Sequence, residues 1–506
     1  MTIFSAKTQL YHQYSCILKS AHFLRNFFLT LISIFFCLNF TFCTQNTITT
    51  SELDKLEFST DTLSFDTVFT TVGSTTKGFL IFNPHKQRIV ISSIALSGGE
   101  ASPFRINVNG TPTDYLENVE IWPEDSLYIF VEVTVDPTDG LLPFVVEDSI
   151  IFETNQNLQQ IKLVAWGQDA NFFGPGTPNG FLVGSTGDTT WTNNKPYVVY
   201  DGIIIDSLSR LTIEAGTRIH LHNGAVLYAK GTLDVQGGID TSDFVVFQGT
   251  RLEENYQNVP GQWGGIYLLR GSEDNYINGA IIKNATVGVR IDSLPANGNP
   301  NLILENSIIH NTFDSGILSI TAIVAASNCL IYDCGRNNLQ LLYGGIYNFL
   351  NCTFYNRTSL VLDHENPILF ATNYLAVSET EILAAPLQLN FVNSILYGSE
   401  DEEIGLDKVE EVAHDVTFQH CLLKTEIGQD SIIFNEACIL NPAAQDTIFI
   451  DQFERDFRLN SSSPCIDAGQ TDVGLTAGAN TLIPNPDLLG HERDEPWDIG
   501  VFEFEE

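Results

Sequence analysis

Polar and apolar positions recur on a fixed beat through the second half of the chain. Six phrases carry it: Gly279-Ala-Ile-Ile-Lys-Asn284, Asn306-Ser-Ile-Ile-His-Asn311, Asn328-Cys-Leu-Ile-Tyr-Asp333, Asn351-Cys-Thr-Phe-Tyr-Asn356, Asn393-Ser-Ile-Leu-Tyr-Gly398 and His420-Cys-Leu-Leu-Lys424. Each sets a turn-forming or polar residue and a small residue before a β-rich apolar run. Successive starts lie 27, 22, 23, 42 and 27 residues apart, and the 42 reads as two turns of about 21. A period of this size predicts a solenoid, in which one repeat is too small to fold alone and buries its apolar side by stacking.

Stacking turns repeated residues into columns. Asn306, Asn328, Asn351 and Asn393 are expected to form a ladder that bonds to its own copies at one corner, with His420 marking where it frays. A lone buried amide there would cost on the order of 1–3 kcal/mol, whereas a stack satisfies itself. Cys329, Cys352 and Cys421 fall in the next column, which Ser307 and Ser394 fill elsewhere. Stacked strands sit ~4.8 Å apart while disulfide Cβ atoms prefer about 3.8 Å, so this column reads as small-residue packing. Cys334, Cys438 and Cys465 have no assigned place. Tyr332, Tyr355 and Tyr397 form an outward stripe, a candidate surface for stacking on sugar rings.

Residues 51–169 read differently. Strand-like runs at 78–82, 88–96, 127–135, 148–153 and 160–165 are separated by turn signals at Asn83-Pro84, Gly98-Gly99, Asn109-Gly110 and Asp136-Pro137. Short strands with no helical period predict a β-sandwich. The strand ending at Asn83, Pro103-Phe104 after a Gly-Gly turn, and Pro123-Glu-Asp-Ser126 before a long strand resemble immunoglobulin-like domains of the ASPM–SPD-2–hydin and major-sperm-protein group. That resemblance implies a module and no activity.

A Gly/Pro-rich link at 174–180 leads to the solenoid, placed at 181–436. Trp191, Pro196-Tyr-Val-Val199, the phrases at 211–216 and 231–233, and Gln262-Trp-Gly-Gly-Ile266 resemble the opening coils of secreted bacterial right-handed parallel β-helix proteins. Trp263 reads as a packing landmark. The last segment, 437–506, carries Asp456-Phe-Arg-Leu459, Ser463-Pro-Cys-Ile-Asp-Ala-Gly469, Arg493 and Asp498-Ile-Gly-Val-Phe-Glu503, and is similar to choice-of-anchor Q-type C-terminal regions. An open solenoid end exposes apolar cross-section and strand edges. The segment is therefore expected to cap that end, with Asp467, Arg493 and Asp498 as its stabilising polar residues. The fold class is all-β: a sandwich, a right-handed parallel β-helix and a C-terminal cap.

Composition narrows the partners. The 62 acidic and 24 basic residues leave a net charge of −38, which repels nucleic acid and anionic membrane surfaces. Lys7, Lys19 and Arg25 precede an apolar run from Phe27 to Phe42, the form of a secretory signal over residues 1–43. Cys37 and Cys43 are candidate lipid-attachment cysteines, although each follows Phe where a lipobox wants a small residue. Export to the cell surface, outer membrane or medium is expected, as a monomer, with peripheral or lipid-anchored membrane association in view and with glycans or surface proteins as partners.

Candidate chemistry is thin. The β-helix resemblance brings polysaccharide lyases and glycosidases into view, and a glycosidase needs two carboxylates flanking the scissile bond. Asp363-His364-Glu365 is the one compact acid/base cluster, yet on a strand His364 would point away from the other two. Lys283, Lys424, Arg336 and Arg357 are scattered candidates for a lyase base. Glu400, Asp401, Glu402 and Glu403 are candidate calcium ligands, without the spacing of a calcium loop; no other cofactor is expected. The leading reading is a non-catalytic adhesin-like or glycan-binding scaffold. The alternatives are a polysaccharide lyase or glycoside hydrolase, and an architectural spacer. One scaffold hosts many functions, so the fold alone does not choose.

Overall fold

The computed structural model describes residues 47–505, apart from 71–72, 138–139, 141–142, 379–380, 429–430, 432, 436, 444–446, 472 and 478–479. The leader at 1–43, with Cys16, Cys37 and Cys43, lies outside the described residues. The chain divides into two compact units, the smaller built from the N-terminal region and the larger running to the C-terminus. Among the described residues the structure is all-β, with two 3-10 turns and no α-helix.

The N-terminal unit is a β-sandwich of two five-stranded sheets. One orders Glu57–Phe58, Lys77–Phe82, Ser126–Val133, Phe104–Val108 and Thr111–Thr113; the other orders Thr62–Phe69, Asn157–Gln168, Phe144–Thr154, Ile89–Leu96 and Tyr115–Ile121. Period-2 patterning decides what is buried. Along Ser126–Val133, Leu127, Ile129, Val131 and Val133 point inward, and Tyr128, Phe130 and Glu132 point out. Rings from the two inner faces meet, Phe79 edge-on to Phe152 at 6.4 Å and Phe65 against Phe104 at 6.0 Å. Burying each such ring contributes roughly 1.5–3 kcal/mol.

The second unit winds as a solenoid of three parallel sheets. The first runs from Asn171–Phe173 to Ile439–Leu440, the second from Leu182–Val183 to Ile404–Asp407, and the third from Thr189–Trp191 to Phe434–Asn435. The solenoid therefore extends past both expected limits, 181 and 436. Each coil up to the one containing Ile404–Asp407 contributes one strand to each sheet, and the repeated phrases all land on the first. Register joins Ile281, Ile308, Leu330, Thr353, Ile395 and Leu422 in one outward row. Inward rows form the core, including the stacked rings of Phe349, Phe391 and Phe418, 4.8 and 5.1 Å apart.

The leading residue of each phrase turns the chain from the third sheet into the first, and does so with positive φ. Asn306, Asn328, Asn351 and Asn393 have φ of 48–52°, Gly279 has 59° and His420 has 49°. Asparagine and glycine tolerate this left-handed conformation best, which is the physical reason for the repeated Asn. Ala437 has the same φ, 49°, and precedes Cys438 and the strand Ile439–Leu440. It is a further copy of the phrase without its signature residue.

One expectation about spacing fails. Thr353–Asn356 pairs directly with Ile395–Gly398, and Gly345–Leu350 with Leu387–Val392, so the 42-residue interval is one enlarged coil and not two turns. Its extra length goes into a loop at 357–368 and an excursion at 373–386 that contains the hairpin Tyr374–Ala376 and Ile382–Ala384. After the acidic residues that follow Gly398, Ile404–Asp407 continues the second sheet beside Leu369–Thr372.

The C-terminal segment corrects the idea of an end cap. Phe449, Phe457, Leu459, Cys465, Leu488, Ile499, Val501 and Phe502 pack against Leu330, Tyr355, Ile395 and Leu422, and the same cluster reaches back to Phe244. The segment is a strap along the outside of the first sheet. A parallel sheet with apolar residues on both faces must be covered on both, and here the outward row offers Ile281, Ile308, Leu330, Ile395 and Leu422.

Candidate functional site

A second outward row of the first sheet runs beside that apolar one: His220, Gln248, Lys283, His310, Tyr332, Tyr355 and Tyr397 lie in register. Its aromatic half is not a free sugar-stacking stripe. Phe457 sits 5.0 Å from Tyr332 and 5.1 Å from Tyr355, and Phe449 closes on Tyr355 at 5.9 Å. The strap has taken the surface that the sequence offered to a ligand. An exposed aromatic pair lies on the sandwich instead, where Tyr128 and Phe130 stack at 5.8 Å and 8°.

The polar half stays open. The chain from Thr250 to Gly261 leaves the coil and arches beside Gln248 and Lys283. Two amides pin this arch: Gln262 Nε2 donates to the carbonyls of Tyr256 and Val259 at 2.6 and 2.9 Å, and Asn284 Nδ2 donates to those of Tyr256, Gln257 and Val259. Arg251 lies 3.6 Å over the Tyr256 ring and binds the Glu253 carboxylate at 3.1 Å. Trp263 is wholly buried behind it and donates Nε1–H to the Lys283 carbonyl at 2.9 Å. Gly249 is required here, because a side chain would meet Gln262 Oε1.

Between arch and sheet is a pocket of about 280 Å³, lined by Gln248, Arg251, Leu252, Gln257, Gln262 and Lys283 together with Gly249 and Asn284. Lys283 Nζ has no hydrogen bond or ion pair to a described residue, and burial lowers its pKa. Burial also holds His220 at about 4 and His310 at about 3, and the Lys283 charge pushes both further down. Neither imidazole lines the pocket: His220 packs on Phe69 at 4.8 Å and His310 stacks on Tyr332 at 4.8 Å, so the pocket presents Lys283 as its cation together with the Arg251 guanidinium paired to Glu253. Amides both donate and accept, and an ammonium only donates. No carboxylate lines the pocket. Lys283 is a candidate of the sequence reading; its pocket is not legible there, because the arch breaks the repeat.

The other candidates sort differently. Asp363, His364 and Glu365 lie in the 357–368 loop and not on a strand; Asp363 and Glu365 face solvent while His364 is buried. His364 reaches across 39 residues to Glu403, Nε2 lying 3.0 and 3.1 Å from its two oxygens, and Asn356 Nδ2 donates to His364 Nδ1 at 2.9 Å. Glu403 also accepts from the backbone of Ile368 and Glu400. A Cβ at Gly398 would strike this carboxylate, which explains a glycine at the end of that phrase. The His364–Glu403 contact seals the loop onto the coil.

The calcium candidates are committed in the same way. Glu402 accepts from Ile404 N, Thr425 Oγ1 and Glu426 N, and Asp401 is exposed. Among the described residues no group of three or more ligating side chains converges as a metal site.

The asparagine ladder is real in two pieces. Asn306 bonds to Asn278 at 2.8 Å, Asn328 to Asn306 at 3.1 Å, and Asn393 to Asn351 at 3.2 Å. Between Asn328 and Asn351 the strap intervenes. Arg493 Nη2 donates to Asn328 Oδ1 at 3.0 Å, and Asn351 Nδ2 donates to the carbonyls of Asp498 and Gly500. Arg493 pairs with Glu503 at 3.1 Å, and the Asp498 carboxylate accepts from the backbone of Asp467 and Phe504. Cys329, Cys352 and Cys421 stack beneath Ser307 and Ser394 as expected of packing, each thiol donating to the carbonyl two residues back at 3.2–3.4 Å. No disulfide joins the six described cysteines.

A family model described as "Right handed beta helix region" matches residues 179–354. No curated protein matches the chain. One similar solved structure is described as "The details of glycolipid glycan hydrolysis by the structural analysis of a family 123 glycoside hydrolase from Clostridium perfringens"; it is 6% identical, with 22% of this chain and 26% of that chain covered and a TM-score of 0.16. The chain thus spans about a quarter of that protein. The family match and the three parallel sheets together make this chain an all-β protein whose larger unit is a right-handed parallel β-helix.

Proposed function

We propose that the protein is an exported, non-catalytic carbohydrate-binding surface scaffold, and that the pocket beside Lys283 is its sugar subsite. The observation that carries this reading is the lining: amides and one unpaired ammonium around an apolar wall at Leu252, with no carboxylate among them. Sugar hydroxyls donate and accept at once, which suits Gln248, Gln257 and Lys283 together. A volume near the lower end of the ~300–1,000 Å³ range for ligand pockets suits a single sugar ring. Two-carboxylate hydrolysis has no counterpart there; Asp363 and Glu365 belong to a loop beyond the rung of Tyr355. Export rests on the basic-then-apolar pattern of residues 1–43, and cell fractionation tests it.

A second reading has one specific observation behind it. Burial lowers the pKa of Lys283, as a proton-abstracting lysine requires. One experiment separates the two readings: pass the protein over immobilised neutral and acidic polysaccharides, then assay for new reducing or unsaturated ends. Retention without new ends, lost in Lys283→Gln, supports the binder. Unsaturated ends that vanish in Lys283→Gln support eliminative cleavage. Retention unchanged in Lys283→Gln removes the pocket from the account.

A further inference from the structure

The small-residue column of the first sheet ends in two thiols. Register sets Leu422 opposite Ile439, which places Cys421 opposite Cys438 on neighbouring rungs, and Ile439 N donates to the Cys421 carbonyl at 2.8 Å. Neighbouring parallel strands lie ~4.8 Å apart, inside the ~4.4–6.8 Å range of Cα separations that disulfides bridge, provided the Cβ atoms close to about 3.8 Å. Cys329 and Cys352 are also neighbours, but both are wholly buried and each rung is held between two others. The last rung is unlike these. Its strand, Ile439–Leu440, is two residues long and is the edge strand of the first sheet among the described strands. Cys438 is half-buried and therefore reachable. Ala437 before it holds a left-handed φ of 49° without the asparagine or glycine that suits it.

We infer that Cys421 and Cys438 are a redox modification site, an internal disulfide that fastens the final rung of the solenoid to the rung before it, formed by exchange with a small-molecule disulfide. The two thiols are unequal. As a thiol Cys438 donates to the Phe418 carbonyl at 3.4 Å; its contact with Cys421 and with the amides of Cys421 and His420 favours the thiolate and pulls its pKa down, whereas burial pushes that of Cys421 up. Cys438 is the nucleophile. Its thiolate attacks one sulfur of oxidised glutathione and expels one glutathione thiolate, leaving a mixed disulfide. Cys421 then gives up its proton to solvent and attacks the Cys438 sulfur, and the second glutathione thiolate leaves. Two protein thiols are oxidised and one glutathione disulfide is reduced to two thiols.

The test uses the full chain, incubated with oxidised glutathione at mildly alkaline pH, quenched with an alkylating agent and mapped by peptide mass. The expected product is a linked peptide pair containing Cys421 and Cys438, with Cys329, Cys334, Cys352 and Cys465 alkylated only after denaturation. Hydrogen exchange across 421–441 slows in the oxidised form. Cys421→Ser stops at the glutathione adduct on Cys438, and Cys438→Ser leaves Cys421 unmodified. Recovery of both cysteines as alkylated thiols overturns the inference, as does a persistent adduct in the unsubstituted chain or a link between Cys329 and Cys352. The map of the unsubstituted chain decides the matter even where a variant fails to fold.

Discussion

In the second outward row of the first sheet, Tyr332 and Tyr355 lie beneath Phe449 and Phe457, whereas Gln248 and Lys283 open on a pocket. The backbone is the same on every rung. What differs is the outward side chain: the aromatic rings are covered by the chain's own C-terminal strap, whereas Gln248 and Lys283 line an open pocket. In this solenoid an aromatic stripe marks where the protein binds itself. The stretch left uncovered is the one that the strap could not dehydrate without burying a lysine.

The strongest way to break this contrast is Arg493→Ala. It strips the pair from buried Glu503 and the bond from Asn328. Losing one partner of a buried ion pair costs about 3–5 kcal/mol. Denaturant unfolding should show that loss, and limited proteolysis should cut within 443–506; a strap that stays protected would sink its role as the cover. Phe457→Ala comes next, at about 3 kcal/mol for a buried ring. Tyr332 and Tyr355 should then react with iodine while the Lys283 pocket is undisturbed.

The polar half makes a pH prediction. His220 and His310 titrate near 4 and 3 in the fold, below the ordinary 6.5. Between pH 6.5 and about 4 the unfolded chain therefore takes up protons that the fold refuses, so stability is full above 6.5 and falls on acidification, by up to about 1.4 kcal/mol per pH unit for each histidine. Thermal melts across this range check the slope. In Lys283→Gln both imidazole resonances should titrate at higher pH. The smallest effect belongs to Asn306→Ala, about 2 kcal/mol for two lost hydrogen bonds, to Asn278 and Asn328, and an alanine at positive φ.

The repeat was legible because one backbone conformation demanded one residue type: asparagine at left-handed φ on Asn306, Asn328, Asn351 and Asn393. Where that demand was met otherwise, the reading stopped, and Ala437 hid the last rung. The 42-residue interval misled because spacing counts residues and not rungs; a loop and a hairpin excursion fill it as readily as a second coil. The strap residues Asp467, Arg493 and Asp498 stood out, but their docking surface did not, since a motif carries no address. His364 and Glu403 were both singled out, yet their pairing spans 39 residues and leaves no periodic trace. The pocket needed the arch over Lys283, which follows no repeat at all.

The strap also fixes an order of events during synthesis. Leu330, Tyr332, Tyr355, Ile395 and Leu422 leave the ribosome well before Phe457, Arg493 and Val501, so the growing chain carries a naked greasy flank until its final stretch emerges. Surface of that kind invites aggregation. A message truncated between codons 441 and 493 should therefore yield insoluble product even though every rung of the coil has been encoded.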